Sequence, residues 1–219
     1  MIPVNSLKLN NAYMTSIMIV GDSYGVPNFF DPLGPVPEEH ISHLLRQQGF
    51  TVVSCAENGA SLCRSIQLLQ QHMESNTADI DYVLWFHTQL WRSRTDRKPV
   101  VCDPAVAAIL WPKIEALRQR LHARMLMIGG SEDLSPDIRC HIQLHWHMPS
   151  WRRHILDLPL IPDLDFRDGS RLAAHEIEMF RHMRASEQFW DNAHPGAEAH
   201  RRLAHTVVAE IQRSSTDTL

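Results

Sequence analysis

Apolar residues in this chain fall into short unbroken runs separated by longer stretches of helical periodicity. Ser16 to Val20 is one such run, and it stops at Gly21-Asp22-Ser23. Tyr82 to Phe86 is another, and Phe50 to Cys55 and Arg124 to Ile128 read as further strands. Runs of this length without polar alternation predict strands buried on both faces, as in a parallel sheet. The stretches between them repeat at three and four residues. Pro37 opens a helix in which Glu38 and Glu39 suit the positive end, Ile41, Leu44 and Leu45 form the stripe, and Gly49 is the stop. Ser61 caps a second helix, with Leu62, Ile66, Leu69 and Met73 on one face. Asp103-Pro104 opens a third, with Val106, Leu110, Ile114, Leu117 and Leu121 inward, and Pro112 is expected to kink or split it.

Toward the end of the chain the pattern changes. Residues 131–167 are irregular and rich in His, Trp and Pro. A helix is expected over about 170–185, with Leu172, Glu176, Met179 and Met183 on one side. A last helix runs from Pro195 to about Gln212 and buries Leu203, Val207 and Ile211. Four strand–helix alternations predict an α/β fold with a parallel sheet, built as a single domain over residues 1–219 with an irregular insertion around 131–167. Functional groups of such sheets gather beyond the carboxyl ends of the strands. Ser23, Asn58-Gly59 and the stretch from His87 to Gln89 each follow a strand directly, so all three belong on one sheet edge.

Composition narrows the picture only modestly. The chain has 219 residues, 44% hydrophobic and 21% charged, with a net charge of −4. That is an ordinary globular balance with no basic excess to suggest a nucleic-acid partner. No run approaches the ~20 apolar residues of a membrane span, and the first residues lack the pattern of a secretory signal. The four cysteines show no CxxC pairing. Reduced thiols and a cytoplasmic location are the expectation. Oligomeric state is not readable.

Two segments carry chemistry. Ser23 follows the first strand, and Asp191-Asn192-Ala193-His194-Pro195-Gly196 precedes the last helix. A serine hydroxyl needs a base to take its proton, and the base needs a group to orient its other nitrogen. Ser23 is the candidate nucleophile, His194 the base and Asp191 the orienting carboxylate. The three-residue spacing lets one loop present both partners. Asp22 reads as a turn-former rather than a catalytic acid. Gly21-Asp22-Ser23-Tyr24-Gly25 also matches a Gly-x-Ser-x-Gly elbow, but that motif needs earlier strands and a helix directly afterwards, and here a proline-rich loop follows. His141, His145, His147 and His154 sit in the irregular segment, and the His-x-x-x-His-x-His run could bind zinc if a carboxylate such as Asp157 joined it, but helical spacing aligns His141 with His145 and not His147 with either. A wall or lid over the site, with Trp146 and Trp151 contacting substrate, is the preferred reading of that segment, and an oligomer contact is the alternative. None of the cysteines has a histidine and orienting group at a telling spacing.

These blocks resemble those of the SGNH, or GDSL-type, hydrolases. Gly21-Asp22-Ser23 matches their first block, Asn58-Gly59 their second, and Asp191 to Pro195 with the following Gly-Ala-Glu-Ala-His-Arg-Arg-Leu-Ala their last. The resemblance spans nearly the whole chain. It implies a flavodoxin-like three-layer α/β/α sandwich of about five parallel strands. It also implies ester hydrolysis through an acyl-enzyme, without metal or cofactor, on small acyl esters that include O-acetyl groups on carbohydrate. The oxyanion would be held by the N–H groups of Ser23 and Gly59. The third block departs from the family: His87-Thr88-Gln89-Leu90 stands where Gly-x-Asn-Asp is usual. Gln89 keeps the amide donor of the family's Asn but carries it roughly 1.5 Å further out. His87, like Asn58, is a candidate pocket residue. The altered block leaves a second reading open, a non-catalytic binding or assembly protein on the same fold.

Overall fold

The computed structural model of the chain describes residues 14–22, 25–26, 40–75, 79–87, 104–129, 134, 136–148, 150–151 and 196–216. Five strands, β1 (Ser16–Gly21), β2 (Thr51–Ala56), β3 (Tyr82–His87), β4 (Arg124–Gly129) and β5 (Leu144–Met148), form one sheet. Every pairing is parallel, in the order β2-β1-β3-β4-β5. The helices are α1 (Ile41–Gln47), α2 (Leu62–Ser75), α3 (Pro104–Leu121) and α4 (Ala197–Thr216), with a short 3-10 helix at Pro136–Cys140.

Strand periodicity divides the buried residues into two cores. Ile17 and Ile19 of β1, Leu84 and Phe86 of β3, and Leu126 and Ile128 of β4 face α1 and α4, where Ile41, Leu45, Leu203, Val207 and Ile211 cover them. The alternate residues Met18, Val20, Val83, Trp85, Met125 and Met127 face α2 and α3 and meet Leu62, Ile66, Leu69, Trp111 and Ile114. Helices on both faces explain why β1, β3 and β4 read as continuous apolar runs. The fold is the three-layer α/β/α sandwich expected from the sequence.

Three local findings refine the sequence reading. The fifth strand lies inside the segment read as irregular. It pairs with β4 alone, and its residues are mostly half-buried, so its His-rich alternation is that of an edge strand. α1 begins at Ile41 with His40 as its N-cap, and residues 27–39 lie outside the described part. Pro112 does not split α3, which is one helix from Pro104 to Leu121. Proline removes the N–H that would serve the carbonyl four residues back, and that residue, Ala108, is exposed, so water can serve it instead. The predicted helix over 170–185 lies outside the described residues. Among the described residues, no helix is long and apolar enough to cross a membrane.

Candidate active site

In the strand order β2-β1-β3-β4-β5 the chain first moves outward from β1 to β2 and then crosses back to β3. The carboxyl ends of β1 and β3 therefore flank the point where the winding reverses, which is where open α/β sheets form their binding crevice. β1 ends there in Gly21, whose φ is +141°. A β-carbon at that position would stand 2.5 Å from the Phe86 carbonyl oxygen and 2.8 Å from the Phe86 Cβ. Only glycine lets the two strand ends come this close. Asp22 is buried, and its carbonyl accepts the Gly25 N–H at 2.9 Å. Gly25 is itself wedged between Ile19, Ala56 and Phe86. The backbone is thus pinned on both sides of Ser23, which lies outside the described residues.

The loop after β2 is tied to the same place. Glu57 N–H donates to the Gly21 carbonyl at 3.2 Å, and Ala60 N–H closes a turn on the Glu57 carbonyl at 3.0 Å. Asn58 and Gly59 occupy the middle of that turn and are exposed, with Gly59 at φ +69°. That left-handed conformation favours glycine. Arg64, one turn into α2, grips Glu57 through both carboxylate oxygens, with Nη2 to Oε2 at 2.6 Å and Nε to Oε1 at 3.1 Å. These hydrogen bonds hold the Glu57 carboxyl below the usual carboxylate range. The Ser61 hydroxyl caps α2 by accepting the Arg64 N–H at 3.2 Å, as its sequence position predicts.

His87 closes β3 on the same face as Trp85, buried against the Trp111 ring at 5.5 Å. Neither of its ring nitrogens has a hydrogen-bond partner among the described residues. Burial pushes its pKa down to about 4, so the ring is neutral. Trp151 is fully buried, packed on Phe86 at 5.3 Å and edge-on to His200 at 5.1 Å. Trp146 is half-buried on β5, against the core beneath α1 and α4. Gln89, Asp191 and His194 lie outside the described residues, and α4 begins three residues after His194, behind a buried Gly196. His145 bonds the Ser214 hydroxyl, and His147 contacts Arg139. Among the described residues no group of His, Cys, Asp and Glu could hold a metal ion. Cys55 and Cys140 are free thiols.

The chain shares the fold of a solved esterase. The psychrotrophic esterase EstA from Pseudoalteromonas sp., solved inhibited by monoethylphosphonate, superposes with a TM-score of 0.50 at 12% identity, covering 92% of this chain and 99% of that one. Protein YxiM from Bacillus subtilis superposes at 0.52 with 13% identity, covering 93% of this chain and 57% of that one. The lipase/acylhydrolase from Enterococcus faecalis is also similar, at 0.48 and 14% identity over 92% and 97% of the two chains. No protein-family model matches this chain, and no curated protein matches it.

Two buried histidines near this edge escape a motif-based reading. His40 caps α1, its Nδ1 accepting the Ser42 N–H at 3.2 Å. His200, on α4, accepts the Ile41 N–H at Nδ1, 3.3 Å away. The rings lie 4.7 Å apart between centroids. Burial, reinforced by the nearby Arg46 cation, brings His40 down to about 4, and burial followed by the neighbouring His40 lowers His200 well below the ordinary histidine range. The signal for His200 was present in the sequence. It shares the stripe of Leu203, Val207 and Ile211 on α4.

Proposed function

We propose that the chain is a serine ester hydrolase working at the carboxyl edge of β1 and β3. Ser23 Oγ attacks the ester carbonyl while His194 takes its proton, and Asp191 fixes the imidazole in the tautomer that can do so. The N–H groups of Ser23 and Gly59 receive the developing oxyanion, with the Gln89 amide as third donor. Collapse of the tetrahedral intermediate expels the alcohol, which takes its proton from His194. Water, activated by the same imidazole, then releases the acid. The proposed chemistry draws on no metal or cofactor. The substrate is a small acyl ester, O-acetyl groups on carbohydrate included.

One observation carries this reading. The backbone that enters Ser23 and the turn that presents Gly59 are hydrogen-bonded to each other at the reversal point of the sheet, through the Glu57 N–H and the Gly21 carbonyl. The nucleophile must reach the carbonyl carbon while the oxyanion donors reach its oxygen, so both must border one site, and this link ties together the two backbone segments that lead to them. The fold shared with EstA supports the same reading. The test is labelling with a fluorophosphonate probe and turnover of a short-chain p-nitrophenyl ester, each compared with Ser23→Ala. A triad acting as a unit predicts loss of labelling and a fall in turnover on the order of 10⁶. Wild-type protein that neither labels nor turns over in a Ser23-dependent way would instead match a non-catalytic binding protein on this fold.

A further inference from the structure

We infer that His200 is a positioning residue for the catalytic imidazole: by accepting the Ile41 N–H from within the first turns of α4, it locks the start of that helix against α1 and so sets where the Asp191–His194 loop is delivered. The inference rests on the proposed esterase reading and assigns a role to a residue outside the triad.

His194 stands two residues before Gly196, and the Gly196 carbonyl accepts the His200 N–H at 3.1 Å in the first turn of α4. Whatever fixes His200 therefore fixes the point from which the His194 loop departs. His200 is 2% exposed, so its ring cannot swing into solvent. On one side its Nδ1 accepts the Ile41 N–H across 159 residues of sequence. On another its ring meets Trp151, which stacks on Phe86, and Phe86 is the residue that Gly21 touches. A continuous line of packed groups thus runs from the end of β1, where the nucleophile loop begins, through Phe86 and Trp151 to the first turns of α4. Rigid interiors transmit displacement along such a line.

The hydrogen-bond chemistry fixes the tautomer as well. A backbone N–H can only donate, so Nδ1 of His200 must carry a lone pair and the ring proton resides on Nε2. The same holds for His40 toward the Ser42 N–H. Each imidazole serves as an acceptor for one of the first two N–H groups of α1, groups that have no partner within the helix. Replacing His200 with an apolar residue leaves the buried Ile41 N–H without that acceptor and opens space beside His40 and Trp151. Asparagine offers Oδ1 at the same number of bonds from the backbone as Nδ1, and so restores the acceptor.

The experiment compares His200→Leu, His200→Asn and wild type for p-nitrophenyl acetate turnover, fluorophosphonate labelling rate and thermal midpoint. The expected result is a kcat and labelling rate lowered on the order of 10- to 100-fold in His200→Leu with KM little changed, and most of that loss recovered in His200→Asn. Recovery by the acceptor-bearing variant is a signature that general loosening of the core would not produce. If His200→Leu does not fold, His200→Asn alone decides: it must keep most of the wild-type kcat, and a loss of about tenfold or more at an unchanged thermal midpoint overturns the inference. Equal kcat in all variants, or losses in His200→Leu and His200→Asn that simply follow their thermal midpoints, would overturn the inference while leaving the esterase reading intact. Absence of any Ser23-dependent turnover in wild type would overturn both.

Discussion

Gly21 and Phe86 meet with no room for a side chain between them: a β-carbon on Gly21 would stand 2.5 Å from the Phe86 carbonyl oxygen. The contact joins the end of β1 to the end of β3, and the backbone there has φ +141°. Gly21→Ala therefore carries both a steric and a conformational penalty. The expected loss is about 3 kcal/mol or more of unfolding free energy, read as a lower urea midpoint at unchanged slope. Any Ser23-dependent turnover should fall with it, because the displaced strand end is the one that enters residue 23.

The bidentate Arg64–Glu57 pair is exposed, and surface ion pairs contribute little to global stability. Its consequence is local, since Glu57 begins the turn that presents Gly59. Arg64→Ala is expected to leave the melting temperature nearly unchanged while lowering kcat/KM roughly 3- to 10-fold, since a small displacement of an oxyanion donor is costly. High salt should reproduce part of the effect on wild type and none on the variant.

Acid should destabilise the protein through its buried imidazoles. His40 and His87 both sit near 4 in the folded chain, against 6.5 for an ordinary histidine. Between those values the unfolded chain binds protons that the native chain refuses. The stability that each ring contributes is therefore complete above about 6.5 and is lost as pH falls toward 4, by about 3 kcal/mol per ring. His200 adds to the loss in the same direction. Urea midpoints at pH 7.5 and 4.5 check this. His87→Leu should show a smaller drop than wild type. At pH 7.5 it should be no less stable, since the two ring nitrogens it removes have no partner among the described residues.

Thiol reactivity should separate the cysteines by burial. Cys140 is exposed, whereas burial pushes the Cys55 thiol up to about 11. The thiolate is the reactive form, so Cys140 should be alkylated by a maleimide at pH 7.5 well before Cys55. Peptide mapping after timed quenching distinguishes the two. Comparable labelling of Cys55 in the native protein would contradict the packing of β2 against α2.

Much of the fold is written locally. The apolar runs at Ser16–Val20, Tyr82–Phe86 and Arg124–Ile128 identify three central strands because a strand buried on both faces has no polar side to display. The position of Gly21-Asp22-Ser23 and of Asn58-Gly59 after strands places them on one edge for the same local reason. Leu144–Met148 alternates apolar residues with histidines, the period-two pattern of a half-buried edge strand, but the run is only five residues long and lies in sequence otherwise irregular and rich in His, Trp and Pro. Pro112 does not divide α3, and Ala108, whose carbonyl would have taken the missing N–H, is an exposed residue that water can reach.

What the sequence determined by itself is the alternation of strands and helices and which residues stand at strand ends, because both follow from periodicities of two and 3.6 within a few residues. The tertiary structure decided everything that joins distant segments. It set the order that puts β3 beside β1, buried His87 against Trp111, pressed Phe86 onto Gly21, and brought His200 to the Ile41 N–H. Those pairings depend on how whole layers pack, and no local pattern in the chain carries that information.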